Sequence, residues 1–135
     1  MTHLVHAIGH LRINTSVADE MVREATEILG LHVTHSDEKT IWLSANGRAA
    51  ELVLERASEN ATHTIGLEAL SADLVHEAAE RVEGAGCRIV SRTPGLSCVA
   101  EGVTFVTPEG LRFEIHTPIR DDINARRRAT TGSSR

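Results

Sequence analysis

Two rhythms of apolar and polar positions run through this chain, and they occur twice in the same order. Around residues 6–14, Leu11 and Ile13 alternate with His10, Arg12 and Asn14, the period of two expected of a half-buried strand. Val22, Ala25, Ile28 and Leu29 then recur at helical spacing. Ser16 stands before them as the expected N-cap, Asp19 and Glu20 occupy the first turn, and Gly30 stops the helix. Short strands are predicted around 32–35, 40–44 and 50–56. The last two are joined through Ser44-Ala45-Asn46-Gly47, where Asn-Gly is the hairpin signal. The second half repeats the order: a strand near 62–69, a helix from Ser71 to about Glu83 that buries Leu74, Ala78 and Val82, and strands near 87–91, 98–106 and 111–116. Thr107-Pro108-Glu109-Gly110 makes the last hairpin turn.

The repetition extends to single residues. Gly47-Arg48-Ala49-Ala50-Glu51 and Gly110-Leu111-Arg112-Phe113-Glu114 share a Gly-x-x-x-Glu spacing. Both helices end in a glycine followed by an apolar residue, at Gly30-Leu31 and Gly86-Cys87. Two copies are too few for a solenoid. They predict an α+β fold: two βαβββ modules with pseudo-twofold symmetry, about 5–57 and 61–118, forming an incomplete barrel around a cleft. Residues 1–120 make one domain and 121–135 a flexible tail.

Alternation sorts the side chains between two sheet faces. Leu11, Ile13, Leu52, Leu54, Ile65, Leu67, Phe113 and Ile115 fall on the face under the helices. The opposite face receives His10, Arg12, Asn14, Glu51, Val53, Glu55, Thr64, Gly66, Glu68, Arg112, Glu114 and His116. So much charge means either a solvated face or a polar concave site. The repeat pairs Glu51 with Glu114, and with His10 these make a set of hard and borderline donors for a divalent metal.

Composition narrows the function. The formal net charge of -5 and the lack of a basic face argue against nucleic acid. Arg126-Arg127-Arg128 lies in the tail. Tyr is absent and Trp42, Phe105 and Phe113 are the only aromatics, so the core is aliphatic and no mechanism can use a phenol. Cys87 and Cys98 could meet on neighbouring strands, but two cysteines without a further framework point to a reducing, cytoplasmic setting. No apolar run has the ~18 residues of a membrane span, so no membrane association is expected.

Ile8-Gly9-His10-Leu11, Glu27-Ile28-Leu29-Gly30-Leu31, Leu52-Val53-Leu54-Glu55 and Val106-Thr107-Pro108-Glu109-Gly110-Leu111-Arg112-Phe113-Glu114 together resemble the vicinal oxygen chelate superfamily of glyoxalases, bleomycin-resistance proteins and extradiol dioxygenases. The chain is most similar to one extradiol dioxygenase domain. The resemblance implies a metal (Fe, Mn, Ni or Zn) with His10, Glu51 and Glu114 as ligands. It places the fourth position at Thr64, where the family usually has His, with His63 taking that role if the strand is bulged. Glu51 and Glu114 would be the catalytic carboxylates, and His116 a substitute proton carrier or ligand. The His and Tyr of the extradiol signature are replaced by Gly95-Leu96-Ser97 and Thr104. The implied function is a metal-dependent enzyme on a small molecule with adjacent oxygens, extradiol-like or glyoxalase- and epimerase-like. The alternatives are a metal-free drug- or metabolite-binding protein and a non-catalytic partner subunit. A homodimer is expected, because small modules of this kind pair edge to edge.

Overall fold

A computed structural model describes residues 4–121. The elements are β1 (Ala7–Thr15), α1 (Ala18–Glu27), β2 (His32–Ser36), β3 (Thr40–Ser44), β4 (Leu52–Arg56), β5 (Ala61–Glu68), α2 (Ala72–Gly84), β6 (Arg88–Ser91), β7 (Gly102–Val106) and β8 (Arg112–His116). They form two βαβββ modules in sequence. The eight strands make one open sheet, ordered β2-β3-β4-β1-β5-β8-β7-β6 and not closed into a barrel.

The two halves are related through the central antiparallel pair. Leu11 of β1 faces Ile65 of β5. On either side a parallel pair carries the relation outward: Leu11 aligns with Leu52 of β4, and Ile65 with Phe113 of β8. Leu52 therefore corresponds to Phe113, Val53 to Glu114, Glu51 to Arg112 and His10 to Thr64. This corrects the match between the two Gly-x-x-x-Glu segments, which are out of step by two residues. Gly110 has φ +92° and closes a tight turn whose N–H reaches Thr107 O at 2.9 Å. Gly47, by contrast, sits inside a longer connection spanning 45–51 and is not in the left-handed region. Asn46-Gly47 is thus not a two-residue hairpin turn.

The two helices differ in how their starts are held. Ser71 caps α2, its hydroxyl accepting from Leu74 N–H at 3.3 Å. α1 departs from expectation: its N-cap is Val17, whose N–H donates to Thr15 Oγ1 at 3.1 Å, while Ser16 is bonded to Asn60. Ala18, Ala25, Met21 and Val22 of α1 pack on Ile13, Ile41, Leu43, Leu52 and Leu54. Val75, Ala78 and Ala79 of α2 pack on Leu67, Val103, Phe105, Phe113 and Ile115. Ile13, Leu52, Leu54, Leu67, Phe113 and Ile115 therefore lie on the helix side, as alternation predicted. Each fully buried Leu or Val in these layers contributes roughly 1.5–3 kcal/mol. The strand expected over 98–106 begins only at Gly102. The residues before it have a different task.

Cys87 packs in the α2 layer and Cys98 on the opposite sheet face, and both are free thiols. The C-terminal stretch through Asp121 is tied down, with Ala49 N–H donating to Arg120 O and Arg120 N–H to Cys98 O. The arginine run at 126–128 lies outside the described residues.

Candidate functional site

The charged sheet face is buried at its centre rather than solvated. His10, Glu114 and His116 are each at most 1 % exposed. His116 Nδ1 lies 2.8 Å from the carbonyl of Thr117, and its Nε2 lies 3.2 Å from His10 Nδ1. A carbonyl only accepts, so His116 Nδ1 carries the proton, and in the neutral ring Nε2 accepts from His10 Nδ1–H. Burial first, and then His116, Arg12 and Arg48, pull the His10 pKa down to about 3. His10 is therefore neutral and its Nε2 bears a lone pair. That nitrogen faces Glu114 Oε1 at 3.7 Å, and neither atom has a hydrogen-bond partner. The other carboxylate oxygen, Oε2, accepts from Gly95 N–H at 2.8 Å.

Glycines make room for this cluster. A Cβ at Gly66 on β5 would stand 2.2 Å from His10 Nδ1, and one at Gly9 on β1 would stand 2.2 Å from His116 Nε2. One at Gly102 would meet Glu114 Oε2 at 2.5 Å. All three are strand glycines, a type that marks the close approach of another group. That signal was present in the sequence and could have located the cluster.

The segment 92–101, between β6 and β7, lies over the cleft. Leu96, Cys98 and Val99 pack on Ala49, Ala50, Val53, Trp42 and Ile119, filling the first-module half. Pro94 and Gly95 contribute to a chamber of ≈ 290 Å³, which also meets Arg12, His63, Thr64 and Arg112. A neighbouring chamber of ≈ 280 Å³ shares Arg12 and Gly95 and is walled by His35, Asp37, Trp42 and Glu55. Arg12 pairs with Glu55 through Nη2, and its Nε is buried without a partner. Burial raises the Glu55 pKa, but the Arg12 hydrogen bond and charge, with His63 and Lys39, outweigh it and the net shift is downward. His63 is also lowered, by burial first and by Arg12 next.

The structure brings together three of the predicted residues and separates two. His10, Glu114 and His116 form one cluster, with His116 holding His10 rather than facing the cleft. His116 is enclosed, not at an exposed strand end. Glu51 is elsewhere. Its carboxylate accepts from Ala45 N–H (2.7 Å), Ser44 Oγ (3.1 Å) and Asn46 Nδ2 (2.9 Å), so it organises the β3–β4 connection. His63 does face the cleft. The pairing of β1 with β5 shifts between Arg12 and Ile13, leaving His63 as the extra residue of a bulge. Its Nδ1 lies 2.6 Å from Thr64 Oγ1, and its Nε2 3.9 Å from Glu55.

His10 Nε2 and Glu114 Oε1 have the chemistry of two metal donors. Donors at about 2.0–2.2 Å from one ion stand no more than about 4.4 Å apart, so 3.7 Å is compatible. The His116–Thr117 chain is the kind of outer support that orients a ligating imidazole. The fit stops at two. Among the described residues no three His, Cys, Asp or Glu side chains are grouped to hold one ion. Val53 and Thr64 occupy the positions symmetric to Glu114 and His10. The residues therefore suit an ion completed by donors from a bound molecule, not one held by the protein alone.

Residues 7–115 match the family model described as Glyoxalase/Bleomycin resistance protein/Dioxygenase superfamily. Among solved structures, the chain is similar to the Mn(II)-bound glyoxalase from Novosphingobium aromaticivorans, with 26% identity, TM-score 0.81, and coverage of 87% of this chain and 40% of that one. It is similar in fold to a halotolerant catechol dioxygenase (23% identity, TM-score 0.83, 92% and 43% covered). The same holds for homoprotocatechuate 2,3-dioxygenase from Brevibacterium fuscum (18% identity, TM-score 0.82, 93% and 40% covered). The chain spans less than half the length of each. No curated protein matches it.

Proposed function

This chain belongs to the glyoxalase/bleomycin resistance/dioxygenase superfamily, and from that premise we propose that its cleft binds a small oxygen-rich organic molecule together with a divalent ion at His10 and Glu114. The observation that carries this reading is the pair of unpartnered acceptors, His10 Nε2 and Glu114 Oε1, facing each other at 3.7 Å in a fully buried place. Two bare acceptors so placed repel each other, and a cation between them would remove that repulsion. When bound, the ion would supply Lewis-acid polarisation of two adjacent oxygens.

The chain's own residues have defined tasks in this reading. His116 fixes the His10 tautomer, and Gly95 N–H fixes one oxygen of Glu114. Glu114 Oε2, the carboxylate oxygen not assigned to the ion and held by Gly95 N–H until that segment draws back, is the group for taking a proton from the bound molecule. Leu96, Cys98 and Val99 keep water from the first-module half, and admission of a ligand requires the Pro94–Gly95 segment to draw back from Glu114. Proton transfer suits these residues better than ring cleavage: the chain has no Tyr, and Thr104 pairs with Glu114 across β7 and β8.

Mn(II) electron paramagnetic resonance tests the reading, with Mn(II) alone and with oxalate as an oxygen-chelating probe. Oxalate should promote Mn(II) retention in the native protein and not in Glu114→Gln or His10→Gln, whereas Glu51→Gln should behave as native. Equal retention in all four proteins would refute the assignment. A second reading, a metal-free binding protein, is favoured by Val53 and Thr64 at the symmetric donor positions. It predicts ligand binding that Glu114→Gln leaves intact.

A further inference from the structure

The two chambers of the cleft differ in charge. Asp37 and Glu55 wall the chamber of ≈ 280 Å³. The chamber of ≈ 290 Å³ is walled by Arg12, His63 and Arg112 with the hydroxyls of Thr64 and Thr104, and no Asp or Glu contributes to it. Arg12 stands in the partition. Its Nη2 is committed to Glu55, which belongs to the other chamber, and its buried Nε has no partner. Arg112 is exposed and makes no ion pair among the described residues. Both guanidinium groups also act on His63 through their charge. Two guanidinium groups thus line one recess that holds no carboxylate, Arg12 being paired with Glu55 outside it and Arg112 having no ion pair among the described residues.

We propose that this chamber binds the carboxylate of a small organic acid, with Arg12 and Arg112 supplying the charge. The proposal rests on the reading of the cleft as the ligand site and names the chemical class of its ligand. The volume of ≈ 290 Å³ is close to the lower end of the roughly 300–1,000 Å³ of small-molecule pockets, which suits a small metabolite. Guanidinium groups recognise planar carboxylates through paired N–H donors; the Arg112 guanidinium has no partner among the described residues, and Arg12 keeps one donor, Nε, without a partner beside its pairing with Glu55. The hydroxyls of Thr64 and Thr104 complete a polar rim. Because Gly95 and Thr104 are also direct neighbours of Glu114, an acid anchored here would extend toward the His10–Glu114 pair.

Isothermal titration of the full chain with benzoate, benzamide and inorganic phosphate tests the proposal. Benzoate should bind and its uncharged amide should bind about tenfold more weakly or worse. Arg112→Gln, at an exposed position that does not threaten the fold, should weaken benzoate by a similar factor and leave benzamide unchanged. Arg12→Lys, which keeps the charge but loses the fork, should also weaken benzoate. Arg88→Gln, outside the chamber, should have no effect. Equal affinity for benzoate and benzamide, no benzoate binding at millimolar concentration, or an unaffected Arg112→Gln would overturn the proposal. So would phosphate binding without benzoate binding. Mn(II) retention with oxalate is read in parallel on Arg112→Gln. If it still depends on Glu114 while the benzoate result fails, the chamber alone is discarded. If the Glu114 dependence is absent, the metal-pair reading fails independently.

Discussion

The fully enclosed His10 makes stability depend on pH in a way that can be worked from the structure. An unfolded histidine titrates near 6.5, and burial holds the folded group at about 3. Between these values the unfolded chain binds a proton that the native chain refuses, so stability falls as pH falls through this window. The slope approaches about 1.4 kcal/mol per pH unit, and the loss from pH 7 to 4.5 is about 2.5 kcal/mol. Against a typical domain stability of about 5–15 kcal/mol, that is a large fraction. Carboxylates held low in the native state, such as Glu68 beside the Ile119 N–H and Arg48, lose their contribution in the same direction. The His10 share must therefore be isolated by comparison. Urea unfolding of chelator-treated protein would be followed at half-unit steps from pH 7 to 4.5, for the native chain and for His10→Asn. The variant should be less stable at pH 7 and should show the shallower slope, so that the two curves converge as pH falls. Parallel curves would mean that His10 accepts a proton in the folded state, and the tautomer chain from Thr117 would then be wrong.

Gly66→Ala places a methyl 2.2 Å from His10 Nδ1; it should cost about 1–3 kcal/mol by overpacking, read by urea denaturation, and an unchanged midpoint would contradict the geometry. Glu51→Gln should cost about 1–3 kcal/mol through the carboxylate's hydrogen bonds to the β3–β4 connection while leaving Mn(II) retention with oxalate intact. Leu54→Ala, in the layer under α1, should cost about 2–5 kcal/mol, measured by thermal or urea unfolding. Thr64→His, which supplies a third donor at the position symmetric to His10, should raise Mn(II) retention in the absence of oxalate. Sedimentation at micromolar concentration should give a dimer if the proposed edge-to-edge pairing holds, and 14.6 kDa if it does not.

What the sequence determined by itself is what depends on local periodicity. Leu52 and Leu54 under α1, and Phe113 and Ile115 under α2, follow from alternation, because a strand must put successive side chains on opposite faces. The same rule put His10, Glu114 and His116 on one face, and the repeat of strand, helix and three strands was enough to give two related modules. What depends on register between distant strands was decided only in three dimensions. Glu51 and Glu114 share a spacing from a glycine, yet the parallel pairs align Val53 with Glu114, because the 45–51 connection is longer than the turn at Thr107–Gly110. His63 reaches the cleft through a bulge that changes no local pattern. The segment 92–101 has no periodicity that would announce its place over the cleft; it lies there because Leu96, Cys98 and Val99 find apolar partners on β3 and β4. The unpaired state of His10 Nε2 and Glu114 Oε1 is a tertiary property as well, since it exists only where residues 10, 95, 114 and 116 meet.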